Sequence, residues 1–176
     1  MKRPAVLALL ALVLAAVFFS VAAGRWGQGG AAPGLPGPAV GHPAPPFSLP
    51  ELGGGTVSLA GLLGRPVLLN FWATWCPDCR AEMPALARFR AQVGAQVEVV
   101  GVDVHESTSL VSLFAGQNGL GWPILLDGQG LVTADYGVYY LPTSFFLDAR
   151  GVIRRVYTGP MTLGQMRTFL EAARAA

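Results

Sequence analysis

Val67-Leu68-Leu69-Asn70-Phe71-Trp72-Ala73-Thr74-Trp75-Cys76-Pro77-Asp78-Cys79 joins an almost continuous apolar run to the only two cysteines of the chain. An apolar run of this length is the pattern of a strand covered on both faces. After the cysteines, Met83, Leu86, Ala87, Phe89 and Val93 recur at helical spacing, interrupted by Pro84. A strand that delivers two thiols to the first turn of a helix places both sulfurs where the helix amides favour thiolate. Thiol/disulfide exchange needs that arrangement.

Outward from this stretch the elements alternate. Val97 to Val104 predicts a second buried strand, and Leu110, Val111, Leu113 and Phe114 a helix after it. Pro123 to Asp127 predicts a short strand and Leu131 to Tyr136 a brief helix. Thr143 to Leu147 and Val152 to Tyr157 flank Asp148-Ala149-Arg150-Gly151, a hairpin with glycine where φ is positive. Leu163, Met166, Phe169 and Leu170 stripe a final helix with Thr162 as its cap. Upstream, Phe47-Ser48-Leu49 and Thr56 to Leu59 flank Gly53-Gly54-Gly55 as a small N-terminal β-hairpin. This order implies an α/β fold, a sheet with helices on its faces.

Three segments are expected. Residues 1–24 carry Lys2 and Arg3 ahead of an uncharged stretch from Pro4 to Gly24. About 20 apolar residues cross a bilayer, and the basic flank leaves the rest of the chain on the far side. The segment reads as a transmembrane signal anchor, with a cleaved signal peptide as the alternative because Ser20-Val21-Ala22 and Val21-Ala22-Ala23 offer small-residue cleavage patterns. Residues 25–39 are a Gly/Pro-rich linker, and 40–176 form the globular domain. Without Lys2 and Arg3, ten Arg match ten Asp plus Glu, and no basic block suggests nucleic acid.

Export makes a structural disulfide the bland reading of two cysteines. A bridge across Cys-x-x-Cys closes so short a loop that it removes little chain entropy, which makes it a poor staple for a domain of this size. A zinc site lacks ligands, since there is no second cysteine pair and His42 and His105 lie far off in sequence.

The segment Asn70-Phe71-Trp72-Ala73-Thr74-Trp75-Cys76-Pro77-Asp78-Cys79-Arg80-Ala81-Glu82-Met83-Pro84 resembles the active site of the thioredoxin superfamily, in the form of extracytoplasmic TlpA/ResA-type reductases. Gly41 to Leu49 resembles the entry segment of that family, Leu141-Pro142-Thr143 its cis-proline loop, and Thr158 to Thr162 a ResA-type C-terminal segment. The resemblance covers residues 40 to 174. It implies a thioredoxin-like fold, with a central mixed sheet flanked by helices.

For the site, Cys76 is expected as the more exposed nucleophile and Cys79 as the resolving thiol, together forming a redox-active disulfide. The resemblance implies that Pro142 is cis beside that disulfide, with Leu141 and Thr143 in the loop that meets a partner strand, and that Glu82 handles protons. Asn70 stands where cytoplasmic thioredoxins carry a buried Asp, which shifts weight onto Glu82. Asp78 opposes a nearby thiolate while Arg80 favours one. Trp75 is expected as a platform and Trp72 as core. His105-Glu106 reads as a solvated loop and Met161 as packing.

The function expected is that of a membrane-tethered thiol-disulfide oxidoreductase on the extracytoplasmic face of a bacterial cell membrane. It would reduce disulfides in exported proteins, with apocytochrome c the substrate class the resemblance implies. No flavin or nicotinamide fingerprint is present, so no cofactor is expected and electrons must come from elsewhere; the resemblance implies a membrane thiol carrier of the CcdA/DsbD type as the donor. Net oxidation or isomerisation at the same cysteines, a copper-binding assembly factor and a redox-inert binding module stand as alternatives.

Overall fold

The computed structural model describes residues 37–175. The expected membrane segment, and all but the last residues of the linker, lie outside the described residues. No helix within them is long and apolar enough to cross a membrane.

The expected run is strand β3 (Val67–Trp72), buried at every position. Its side chains alternate between two cores, as the period of two requires. Val67, Leu69 and Phe71 pack with Val100, Val102, Tyr136 and Phe145 on one side, while Leu68 and Trp72 join Leu86, Phe89 and Val99 on the other. Asn70 belongs to the second face by the same alternation. β3 is the middle of a five-stranded sheet in the order β5-β4-β3-β6-β7, with β4 Glu98–Val104, β5 Ile124–Asp127, β6 Thr143–Leu147 and β7 Ile153–Thr158. β4 runs parallel to β3, and β5 to β4, whereas β6 is antiparallel to β3 and β7 to β6. The sheet is therefore mixed, as expected.

The hairpin β1 (Ser48–Pro50) and β2 (Thr56–Ser58) precedes it, closed by a glycine turn in which Gly54 and Gly55 take φ of 101° and 84°. Thr56 to Ser58 is shorter than expected, because the Ser58 side chain accepts the Gly61 N–H at 3.3 Å and starts a short helix α1 (Leu59–Leu62). Helix α2 (Pro77–Val93) crosses over from β3 to β4, and α3 (Thr108–Asn118) from β4 to β5. Pro84 does not interrupt α2. Pro84 and Arg80 are both exposed, so the Arg80 carbonyl that loses its helical donor faces water instead. Helix α4 (Leu131–Asp135) follows β5, and α5 (Leu163–Arg174) ends the fold behind a reciprocal capping box of Thr162 and Gln165. α2, α3 and α5 cover one face of the sheet, α1 and α4 the other.

Two consequences place the site. β3 and β6 are antiparallel neighbours with Phe71 opposite Thr143. The loop leaving the end of β3 and the loop entering β6 therefore emerge at the same end of the sheet. The first carries the cysteines and the second carries Leu141-Pro142.

Candidate functional site

Cys76 is the N-cap of α2. Its sulfur accepts the Cys79 N–H at 3.1 Å, Pro77 fills the first helical position, and the two cysteines form a disulfide with Cα atoms 5.3 Å apart. A sulfur in this position faces the positive end of the helix, where a thiolate is stabilised once the bond is reduced. The expected contrast in exposure between the cysteines is slight: Cys76 keeps 4% of its surface and Cys79 2%. Both sulfurs are drawn into the core beneath α2, and the neighbour that stands in solvent is Trp75, 65% exposed.

Glu82 lies one turn beyond Cys79 on the same face of α2, which the apolar spacing turns toward the sheet. It is 3% exposed. Three groups from distant parts of the chain surround it. Asn70 Nδ2 donates to Glu82 Oε2 at 3.4 Å and to Ser144 Oγ at 3.0 Å, and the Met161 N–H donates to Glu82 Oε1 at 3.3 Å. Burial pushes the carboxyl from its ordinary 4.5 up to about 7, and the bonds from Met161 and Asn70 offset only part of that rise. A carboxyl buried beside a thiol pair and titrating near neutral pH is suited to take or return a thiol proton.

The Leu141-Pro142 peptide bond is cis. Its loop is tied down on both sides: the Thr143 hydroxyl donates to the Tyr140 carbonyl at 2.7 Å, and the Gly159 N–H donates to the Pro142 carbonyl at 2.8 Å. Thr143 is buried and spends its hydroxyl inside the loop, so it supports the loop without facing a partner. Leu141 is half-buried and packs against both cores. Tyr140, just ahead of it, is 68% exposed. Asp78 and Arg80 are exposed, and the Arg80 guanidinium lies over the Phe114 ring at 6.0 Å.

Three residues matter more than their types and spacing suggested. Ser144 anchors Asn70, and Met161, buried as packing, also offers its backbone N–H to Glu82. Glu106 is not a solvated loop carboxylate: its two oxygens accept the Thr74 N–H and hydroxyl, each at 2.6 Å. The alternation along β3 was the one sequence signal that pointed Asn70 toward α2. Among the described residues, no three His, Cys, Asp or Glu side chains converge to hold a metal ion.

The AhpC/TSA family model matches residues 40–156. The thioredoxin-like protein YneN of Bacillus subtilis is 42% identical over 134 residues, 74% of this chain and 78% of YneN. The thiol-disulfide oxidoreductase ResA of Geobacillus thermodenitrificans is 40% identical over 135 residues, covering 76% and 78% of the two chains. The crystal structure of StoA from Bacillus subtilis superposes with a TM-score of 0.64 at 30% identity, covering 72% of this chain and 96% of StoA. A disulfide at a helix N-terminus, a cis-proline loop at the same end of a thioredoxin-like sheet and these relatives lead to one assignment: the chain belongs to the AhpC/TSA family as a thioredoxin-like thiol-disulfide oxidoreductase.

Proposed function

We propose that this protein is a membrane-tethered reductase of disulfides in exported proteins, with apocytochrome c as its substrate class. The single observation that carries the reading is the buried Glu82, held by Asn70 and Met161 one turn from Cys79. In the reduced protein the Cys76 thiolate attacks one sulfur of the substrate disulfide and expels the other as a thiolate. Glu82 takes the proton of Cys79, whose thiolate then attacks the Cys76 sulfur and releases the second substrate thiolate. Two electrons pass to the substrate, whose thiolates take up two protons, and the Cys76–Cys79 bond closes. Glu82 passes its proton on during that release. Reduction of the closed bond by a membrane thiol carrier of the CcdA/DsbD class completes the cycle.

The location proposed is the extracytoplasmic face of a bacterial membrane, with residues 4–24 as the anchor. Support comes from the uncharged run behind Lys2 and Arg3. Fractionation of cells expressing the full chain tests this: recovery in the soluble fraction would refute the tether.

Cys79→Ser traps the mixed disulfide at Cys76, and the captured chains identify the substrate. Recovery of c-type apocytochromes supports the reading, and their absence among captured proteins overturns that substrate class. Equilibration with dithiothreitol and glutathione buffers tests direction. A potential close to that of strong oxidants, about −120 mV, would replace reduction with net oxidation.

A further inference from the structure

Asp103 is 0% exposed, and the exchange chemistry leaves it without a role. It stands near the end of β4, in register with Trp72, the last residue of β3 before the redox loop. Neither of its oxygens makes a hydrogen bond of good geometry among the described residues, although the Glu106 amide lies close enough to act on the group. What it faces is the carboxyl of Glu106. Both Glu106 oxygens are already engaged as acceptors by Thr74, which lies two residues before Cys76. The Cys76 N–H in turn donates to the Ala73 carbonyl at 3.2 Å. Glu106 therefore grips the turn that presents Cys76.

Two carboxyl groups packed face to face are tolerated when they share a proton. Since Thr74 donates to both Glu106 oxygens, the proton of the pair resides on Asp103. Burial, then the Glu106 carboxyl, then the charge of Asp127 push the Asp103 carboxyl up to about 8, and the Glu106 amide only partly opposes the rise. The remaining surroundings do not supply a counter-charge. Asp127 is itself occupied by Thr133 and Val132, and α3 carries no titratable side chain. On α2, Asp78 and Arg80 are exposed and Glu82 is buried against Asn70. His105 is exposed, and Trp72 and Trp122 are neutral.

We propose that Asp103 is a positioning residue for the thiol site: its carboxyl proton, donated to Glu106, sustains the grip on Thr74 and so sets the reactivity of Cys76. Loss of that proton leaves two facing anions, loosens the Thr74 contacts and adds negative charge behind Cys76, which disfavours its thiolate. The kinetic consequence rests on the thiol-disulfide reading of Cys76, whereas the structural link does not.

The test has two arms on the full chain in detergent micelles. In the oxidised protein, where no thiol titrates, the Thr74 amide proton resonance should shift with a midpoint of about pH 8. The shift should be absent in Asp103→Asn, whose amide donates at every pH. In the reduced protein at about pH 7, Asp103→Ala should slow reaction with 5,5′-dithiobis(2-nitrobenzoate) about tenfold, the equivalent of one charge-assisted hydrogen bond, and Asp103→Asn should restore it to within about threefold. A pH-independent Thr74 resonance in the parent, a titration that persists in Asp103→Asn, or an Asn variant as slow as the Ala variant would overturn the proposal. Should Asp103→Ala fail to fold, the Thr74 titration in the parent and Asp103→Asn decides alone. A parent inert toward the small disulfide counts against the thiol reading, while the Thr74 titration still judges the Asp103 link.

Discussion

The side-chain amide of Asn70 donates to Glu82 Oε2 at 3.4 Å, joining the central strand to the helix that carries both cysteines. The same nitrogen donates to Ser144 on the neighbouring strand at 3.0 Å, so the amide is fixed from two sides. The redox helix thus presents to the sheet an acid that titrates near neutral pH.

Glu82→Gln should separate activity from stability. The folded carboxyl titrates at about 7 against an ordinary 4.5, so its stability contribution is full below the lower value and declines as pH rises through the upper one. Gln does not ionise, and above about pH 7 the variant should be more stable by up to about 3 kcal/mol in urea unfolding. Its reduction of a protein disulfide should fall about 100-fold at neutral pH, and the inflection near pH 7 in the rate profile should vanish. A variant that keeps both the rate and the inflection refutes proton handling by Glu82.

Asn70→Asp puts a second carboxyl against Glu82 and removes the amide donor. The pair should hold one proton at neutral pH, as facing carboxyls do. Above about pH 8, where both must ionise, the variant should lose about 2 kcal/mol relative to the parent, measured by thermal unfolding across pH.

Trp75 and Tyr140 are 65% and 68% exposed, on the two loops that emerge at the same end of the sheet. Replacing both with Ala should change stability by no more than about 0.5 kcal/mol each, as for exposed sites elsewhere. Reduction of a protein disulfide should drop about tenfold in kcat/KM through loss of aromatic contact, with reaction toward a small disulfide unaltered. Equal losses with both substrates would show that the rings act on Cys76 itself.

Asp148 organises the β6–β7 turn. Its buried carboxylate accepts the Arg150 and Val152 N–H groups, each at 2.9 Å, and the Arg154 guanidinium at 2.7 Å. Burial pushes its carboxyl up, but these bonds outweigh it and hold the group at about 2. Asp148→Ala should cost about 3 kcal/mol near neutral pH without affecting thiol exchange, because it strands buried donors and Arg154. A lowered value means stability present above the ordinary 3.8 and lost as pH falls through about 2, so the deficit should shrink in strong acid.

The one-dimensional pattern determined the elements whose causes are local. β3 occupies Val67–Trp72 because six successive apolar or packed positions suit only a strand buried on both faces. Thr162 and Gln165 cap α5 through neighbouring backbone groups, and Gly151 takes φ of 82° in the turn it was expected to make. The cysteine spacing, read with a strand before it and a helix after it, pointed to thiol/disulfide chemistry, and the resemblance made that reading specific. Local rules also erred where solvent intervened. Pro84 predicts an interruption, but it lies on the exposed face of α2, where water can donate to the carbonyl that lost its helical N–H partner.

Only tertiary structure decided how the carboxylates around the site are buried and bonded. The resemblance singled out Glu82, nothing in the sequence singled out Asp103 within its buried strand, and Glu106 read as part of a solvated loop. Whether an acid is hydrated or buried depends on elements folded over it, and those lie far away along the chain: Met161 is 79 residues from Glu82, and Thr74 is 32 residues from Glu106. Desolvation has no sequence period, so no pattern announces it. The two thiols could be read from the chain, while the proton chemistry around them exists only once β3, β4, β6 and α2 have packed together.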